Sequence, residues 1–307
     1  MKISLVVPVK DEAASLPRLL RSISAQTHLP DEVIFVDAGS RDLTKEIISG
    51  HKDDRVSIKL FSIGDAYPGT ARNEGVKRSR NDFIAFTDGG IELSKEWLRE
   101  LAGTMESGGS CDVAYGSYSP RADTFFKQCL SMAVVPPKDR RTSFIASSLM
   151  KKSVWQAVGG FPDFRAAEDR IFMERIKERG FNISYNPKAF VVWDIPSDMR
   201  SAYRRFRDYS YHDMMANRYL GWHLPVLKMY VVAIICVMLG ILFTPLFFLV
   251  PMFGFAARVA RKIYVNRREP YIRTALFPLY TVFTGFLILS IDIAMYVGWI
   301  RYLTDEK

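Results

Sequence analysis

Residues 3–37, ISLVVPVKDEAASLPRLLRSISAQTHLPDEVIFVD, decide how this chain folds. ISLVVPV (3–9) and EVIFV (32–36), apolar but for Ser4 and Glu32, read as short buried strands. Between them, residues 13–26 set Leu16, Leu19, Leu20 and Ile23 at helical spacing. Strand, helix, strand is a β-α-β unit, which implies parallel strands joined by a right-handed crossover.

The rhythm continues downstream. Helices are expected near 42–49, 70–79 and 95–106, with strands near 56–61, 82–87 and 112–115. Such alternation marks an α/β domain. Beyond 116 the pattern is less regular: strands are expected at 144–150 and 189–193, and a helix at 168–179. In sheets of this class ligands sit beyond the carboxyl ends of the strands. Asp11 and Glu12 follow the first strand, Asp37 the second, and Asp88 the strand ending at Thr87. Loop acids often cap helices, and Ser40 and Asp42 could do so here. Three acids ending three parallel strands converge on one edge, which capping alone does not require.

Composition divides the chain. No charged residue lies between Lys228 and Arg258, or between Arg273 and Asp292, whereas the rest is dense in charge. A soluble domain, 1–220, is therefore expected to precede a membrane region, 221–307. The net charge is +9, and residues 221–307 hold nine Lys/Arg against four Asp/Glu. The excess sits beside the apolar segments, where it would meet anionic headgroups. No basic face appears on the soluble part, so nucleic acid is not expected as a partner. Cys111, Cys129 and Cys236 are odd in number and widely spaced, suggesting neither a disulfide framework nor a zinc site. The N-terminal apolar run is too short for a signal peptide and leads straight into charge, which predicts a cytoplasmic soluble part.

Five segments in register carry a resemblance: 6–42 (VVPVKDE through VDAGSRD), ARNEGVKRSRNDFIAFTDGG (71–90), SSLMKKSVWQAVGGFPDF (147–164), AEDRIFMERIKERGF (167–181) and VVWD (191–194). Together they resemble the family 2 glycosyltransferases. The resemblance implies a GT-A fold: a mixed, mainly parallel sheet flanked by helices, here followed by a C-terminal α-helical membrane region. It implies an inverting enzyme of hexosyltransferase type, with a nucleotide-sugar donor and a lipid-linked or glycan acceptor. By the same resemblance, Asp37 and the backbone around Pro8 and Val9 hold the nucleoside, with Glu12 nearby and Arg72 on the nucleotide. A carboxylate suits base and ribose as an acceptor, and the guanidinium fork suits a nucleotide. Glu168-Asp169 resembles the family's paired acids at a helix start, with Asp169 as the acceptor's general base. Helix capping is the alternative for both.

The family commonly carries two acids spaced D-x-D, the last binding a divalent cation. This chain has Asp88 but Gly90. Three outcomes are open. Asp88, helped by Asp194, could hold Mg²⁺ or Mn²⁺ as hard oxygen ligands. Arginines in 200–207 (RSAYRRFR) could neutralise a diphosphate instead. Or the protein is a catalytically silent binder or scaffold at the membrane. A transport role is disfavoured by the small number of apolar segments.

The 29 uncharged residues between Lys228 and Arg258 would form one helix of about 43 Å, longer than a ~30 Å hydrocarbon core. A single crossing would also place RVARKIYVNRR (258–268) outside, against the positive-inside tendency. A hairpin bent at Gly240, Pro245 and Pro251 is expected, with re-entrant or tilted arms. Residues 274–300 form a further apolar segment, whose Asp292 belongs near an interface or against another helix. Tyr203, Phe206, Tyr209, Tyr211, Trp222 and Tyr230 suit a headgroup belt or ordinary helix packing. The expectation is a multi-pass protein with its catalytic domain on the cytoplasmic side of the cell membrane.

Overall fold

The computed structural model describes residues 1–107, 110–137, 141, 143–218, 223–271 and 278–305. The chain forms two compact units, Met1–Arg121 with Arg141–Asp194, and Ala122–Arg140 with Ile195–Lys307. The division falls near 194, not at the 220 expected. Helix Met199–Met215, which follows that division, packs on the last helix of the second unit.

In the first unit β1 (Ile3–Val9), α1 (Leu16–Ser24), β2 (Glu32–Asp37), α2 (Thr44–Gly50), β3 (Ser57–Ser62), α3 (Pro68–Arg78) and β4 (Phe83–Phe86) follow the expected alternation. β5 (Ile91–Leu93), α4 (Trp97–Ser107) and β6 (Val113–Pro120) come next. The unit closes with β7 (Ser148–Lys151), α6 (Lys152–Val158), α7 (Glu168–Glu178) and β8 (Ile183–Trp193). Helix α5 (Phe125–Val134) belongs to the second unit. The eight strands form one sheet in the order β3-β2-β1-β4-β7-β6-β8-β5. β3, β2, β1 and β4 are parallel, as are β6 and β8; β7 pairs antiparallel with β4 and β6, and β5 with β8. The sheet is thus mixed and mainly parallel, as expected.

Period-two alternation sends the β1 side chains to both faces of the sheet, and every one is buried. Ile3, Leu5, Val7 and Val9 pack with Leu16, Leu19, Leu20 and Ile23 of α1 and Trp97 of α4. Val6 faces the other way, with Val76 of α3 and Phe172 and Ile176 of α7. Helices cover both faces, so both must be apolar.

One polar group is buried at the opening edge of the sheet. Glu32, at the start of β2, accepts from Ser4 Oγ (2.7 Å), Lys59 Nζ (2.9 Å) and the Arg80 N–H (2.8 Å). These contacts fasten β1, β2, β3 and the loop before β4 to one carboxylate.

The second unit contains α5, α8 (Met199–Met215), α9 (His223–Leu242), a 3₁₀ turn (Pro245–Phe248), α10 (Leu249–Val265) and α11 (Pro278–Thr304). α9 and α10 fold back on one another through the turn, the bent hairpin expected from the prolines. α9 and α11 are each long and apolar enough to cross a membrane. Asp292 is buried against neighbouring helices: it accepts from Arg258 of α10 (Nη2 to Oδ1, 3.0 Å) and from the Tyr230 hydroxyl of α9 (2.8 Å). The belt aromatics Tyr203, Phe206, Tyr209 and Tyr211 lie on α8, and Trp222 lies outside the described residues. All three cysteines are free thiols.

Burial alone would raise the Glu32 carboxyl, but the bonds from Arg80, Lys59 and Ser4 prevail and hold it at about 2. Its folded value lies below the ordinary 4.5, so its contribution is present above about pH 4.5 and is lost as pH falls toward 2. Glu32→Gln is expected to lower the unfolding free energy by about 1–3 kcal/mol at pH 7. Urea denaturation at several pH values should show that gap closing below pH 4.5.

Candidate active site

The carboxyl ends of β1, β2 and β4 open on one rim. Asp37 ends β2 opposite Val9 of β1, and the Ala38 N–H donates to the Val9 carbonyl (2.9 Å). The Asp37 carboxylate is buried and accepts from the Ser40 N–H (3.0 Å). Ser40 Oγ in turn accepts from the Asp11 N–H (3.0 Å), and Thr44 Oγ1 accepts from the Glu12 N–H (2.8 Å). The segment Pro8–Glu12 is therefore pinned to the loop after Asp37.

Glu12 reaches the other way, to β4. A Cβ on Gly89 would stand 2.7 Å from Glu12 Cγ, a clash that only glycine avoids. A Cβ on Gly90 would stand 3.7 Å from both Glu12 carboxylate oxygens. That is ordinary contact distance, so a side chain at 90 would fit, but an aspartate there would press like charge on Glu12.

Arg72 organises the opposite side. It lies on α3, is 4 % exposed, and donates from Nη2 to Asp88 Oδ1 (2.8 Å) and from Nη1 to Glu168 Oε1 (3.0 Å). The Phe161 ring lies against the guanidinium, 5.4 Å from centroid to Cζ. Two flanking acids keep Arg72 charged despite its burial. Glu168, the first residue of α7, is 6 % exposed; burial pushes its carboxyl up to about 7, with Arg72 opposing and the Asp169 charge reinforcing. Ala167 just before it is held in the left-handed region at φ 71°, a cost accepted to start the helix there. Asp169 is half-buried and accepts from the Arg170 N–H (2.7 Å) through one oxygen. So a helix-capping contact is present, and it leaves the carboxylate at the helix N-terminus where negative charge is favoured.

Asp194 also lies at the rim, its N–H donating to the Gly90 carbonyl (3.2 Å). Its carboxylate pairs with Arg18 of α1, and Arg121 Nε stands 3.9 Å away. Arg121 pairs also with Glu92 of β5. Among the described residues no three His, Cys, Asp or Glu side chains converge at metal-ligand range. A hard cation here would have to take most of its oxygens from a ligand and water, the usual manner of Mg²⁺.

The geometry therefore gathers Pro8, Val9, Glu12, Asp37, Asp88, Arg72 and Glu168-Asp169 along one chain of contacts. The Arg-rich stretch 200–207 lies on α8 of the second unit. Sequence reasoning missed Arg18, Arg121 and Glu92, whose ion pairs join segments far apart in the chain. It also missed Tyr115, whose hydroxyl is buried without a hydrogen-bond partner; burial and the Asp169 charge both push its ionisation up.

The family model for glycosyl transferase family 2 matches residues 4–174, more than half of the chain. Glycosyltransferase AglE of Haloferax volcanii is 25 % identical over 197 residues, 60 % of this chain and 64 % of that protein. The pre-mycofactocin glycosyltransferase of Mycobacterium tuberculosis is 27 % identical over 64 % of this chain and 44 % of its own length. The chain thus spans less than two thirds of these two relatives. The O-antigen chain rhamnosyltransferase RfbN of Salmonella typhimurium is 25 % identical over 68 % of this chain and 71 % of its own. Two solved structures share the fold. The mannosyltransferase PcManGT of Pyrobaculum calidifontis, in complex with GDP-Man and Mn²⁺, superposes with a TM-score of 0.61, at 17 % identity over 100 % of this chain and 88 % of that one. TarS of S. aureus with UDP-GlcNAc gives 0.54, at 18 % identity over 99 % and 92 %.

Removing Arg72 leaves two acids without their counter-charge. Arg72→Leu is expected to destabilise the fold by about 3–5 kcal/mol. A double-mutant cycle with Glu168→Leu should recover part of that loss; strict additivity would mean that the two side chains are not coupled.

Proposed function

We propose that this chain, which belongs to glycosyl transferase family 2, is an inverting hexosyltransferase that works at the cytoplasmic face of a membrane. It is a glycosyltransferase of the kind that uses nucleotide-sugar donors. The finer proposal is that the sugar passes to a lipid-linked or glycan acceptor in building a cell-envelope glycan. The observation that carries it is the Arg72 bridge, which ties the donor-side acid Asp88 to the acceptor-side pair Glu168-Asp169.

Asp37 and the backbone of Pro8 and Val9 would receive the nucleoside, where the strand ends leave room beyond the sheet. A divalent cation, Mg²⁺ or Mn²⁺, would be held chiefly by Asp88 and would neutralise the departing diphosphate. The mannosyltransferase complex with Mn²⁺ supports a cation in this fold. Asp194, proposed from sequence as its partner, is already neutralised by Arg18 and Arg121, so a share in the cation would require it to leave them.

Asp169 takes the proton from the acceptor hydroxyl as that oxygen attacks the anomeric carbon. The bond from that carbon to the diphosphate oxygen breaks, and the nucleoside diphosphate leaves with the electron pair. Attack from the face opposite the leaving group inverts the centre in one step. Arg72 keeps Asp88 and Glu168 at fixed separation, and Glu168 sets the start of α7 and hence the place of Asp169. Gly90 is the feature that favours a second reading, a silent nucleotide-binding protein; the intact Glu168-Asp169 pair weighs against it.

Purified protein given UDP-, GDP- and TDP-sugars should turn over one class. Asp169→Asn is expected to lower kcat about 10²–10⁴-fold while donor KM changes little. Wild-type turnover by that variant would remove Asp169 from the base role. EDTA is expected to abolish turnover, with Mn²⁺ or Mg²⁺ restoring it; indifference to EDTA would remove the cation from the account.

A further inference from the structure

We propose that the α9–α10 hairpin enters one leaflet of an anionic bilayer and returns through the same face. This inference deepens the membrane placement proposed above and rests on it.

From Val231 to Gly254 no residue is charged, and only Thr244 carries a hydroxyl. These side chains are not covered by protein: Ile241 is 73 % exposed, Phe243 75 %, Leu246 69 % and Phe253 63 %. In α9 only His223 and Gly240 are buried. Gly240 receives the Phe248 ring, whose Cε1 would stand 2.8 Å from a Cβ there. The turn therefore closes tightly on α9, and the tip carries no charge, with the Thr244 hydroxyl beside an otherwise apolar turn. Water offers such a surface no compensation, whereas acyl chains do.

Although α9 as a whole is long enough to cross, the uncharged part of each arm is short: Lys228 to Leu242 rises only about 21 Å. Leu249 to Arg258 rises about 14 Å, roughly half of a ~30 Å hydrocarbon core. The charges gather at the open end: Lys228 on α9, and Arg258, Arg261 and Lys262 on α10, with Arg267 and Arg268 following. That cationic base complements anionic headgroups, while the tip reaches toward the midplane. Asp292 fixes the level of both arms, because it binds Arg258 on one and Tyr230 on the other.

α11 runs from arm to arm. Gly285 faces Phe255 and Val259 of α10, Asp292 meets Arg258 and Tyr230, and Trp299 meets His223 at the start of α9 (ring centroids 5.5 Å). Asp292 and Trp299 are seven residues apart on α11, as are Tyr230 and His223 on α9, so α11 in this part runs antiparallel beside α9. Its C-terminal half then packs on α8, where Ser210 Oγ donates to the Met295 carbonyl and Tyr211 contacts Tyr302. α8 also carries Arg200, Arg204, Arg205 and Arg207. An α11 that spanned the bilayer would drag those guanidinium groups into hydrocarbon, which is costly. The multi-pass expectation is replaced here by half-insertion.

The test uses the full chain carrying Cys236→Ala, added from detergent to preformed sealed vesicles of phosphatidylcholine and phosphatidylglycerol. Leu246→Cys, Tyr264→Cys and Leu303→Cys are made singly. A bimane label at 246 should be quenched most by lipids bearing the quencher deep in the acyl chain. Thiols at 264 and 303 should react with an impermeant maleimide outside the vesicle, and 246 with neither an outside nor a trapped reagent. Reaction of residue 246 with the trapped reagent would mean a crossing hairpin, and strongest quenching from headgroup-level lipids a surface-lying one; either overturns the proposal. Phe243→Asp/Leu246→Asp should lower the vesicle-bound fraction at least ~10-fold while donor turnover in detergent stays within about twofold. Donor turnover without any vesicle binding would overturn this inference and leave the transferase reading standing. The predicted depth without donor turnover would do the reverse.

Discussion

A guanidinium buried between two carboxylates is the constraint on which the site depends. Arg72 is 4 % exposed and bonds at once to Asp88, beyond β4, and to Glu168, at the start of α7. A buried charge is tolerated only when paired and hydrogen-bonded, so the three groups must arrive together or not at all. The pairing fixes the distance between the strand-end rim and the helix that presents Asp169. It also converts α3, otherwise a packing helix against β1, into the support of a reaction centre.

The rim itself is assembled by smaller contacts with the same logic. Asp11, Ser40 and Thr44 fasten the loop after β1 to the loop after β2, and the Glu12 side chain spans to Gly89 and Gly90. The Glu12 carboxylate comes within ordinary contact of Gly90, and Gly89 is the residue that lets it approach. The transferase reading of Asp88 grows out of this local arrangement together with the family to which the chain belongs.

Much of the first unit was legible in the sequence, because local pattern and tertiary demand agreed. Short apolar runs such as ISLVVPV read as buried strands, and Leu16, Leu19, Leu20 and Ile23 admit only one buried helix face. What was missed lacks such agreement. β5 has three residues, too few for a period, and the Ser117–Pro120 end of β6 is polar and ends in proline, yet it pairs with β8. α5 lies beyond 116, where the pattern is less regular, and α8 carries the arginines considered for a diphosphate. The acids Asp37, Asp88 and Glu168-Asp169 were readable from their places at strand ends and a helix start. Their bridging by Arg72, and the pairing of Asp194 with Arg18 across 176 residues, depend on long-range packing that no local pattern encodes.

The central claim is that Arg72 holds donor-side and acceptor-side acids as one unit. Calorimetric titration of the preferred nucleotide sugar into Arg72→Lys, alongside single-turnover transfer by the same protein, tests it most directly. Lysine keeps the charge but has no fork to reach both acids. The account predicts that donor affinity and transfer fall together, each by at least ~10-fold. Binding and transfer indistinguishable from wild type would contradict it.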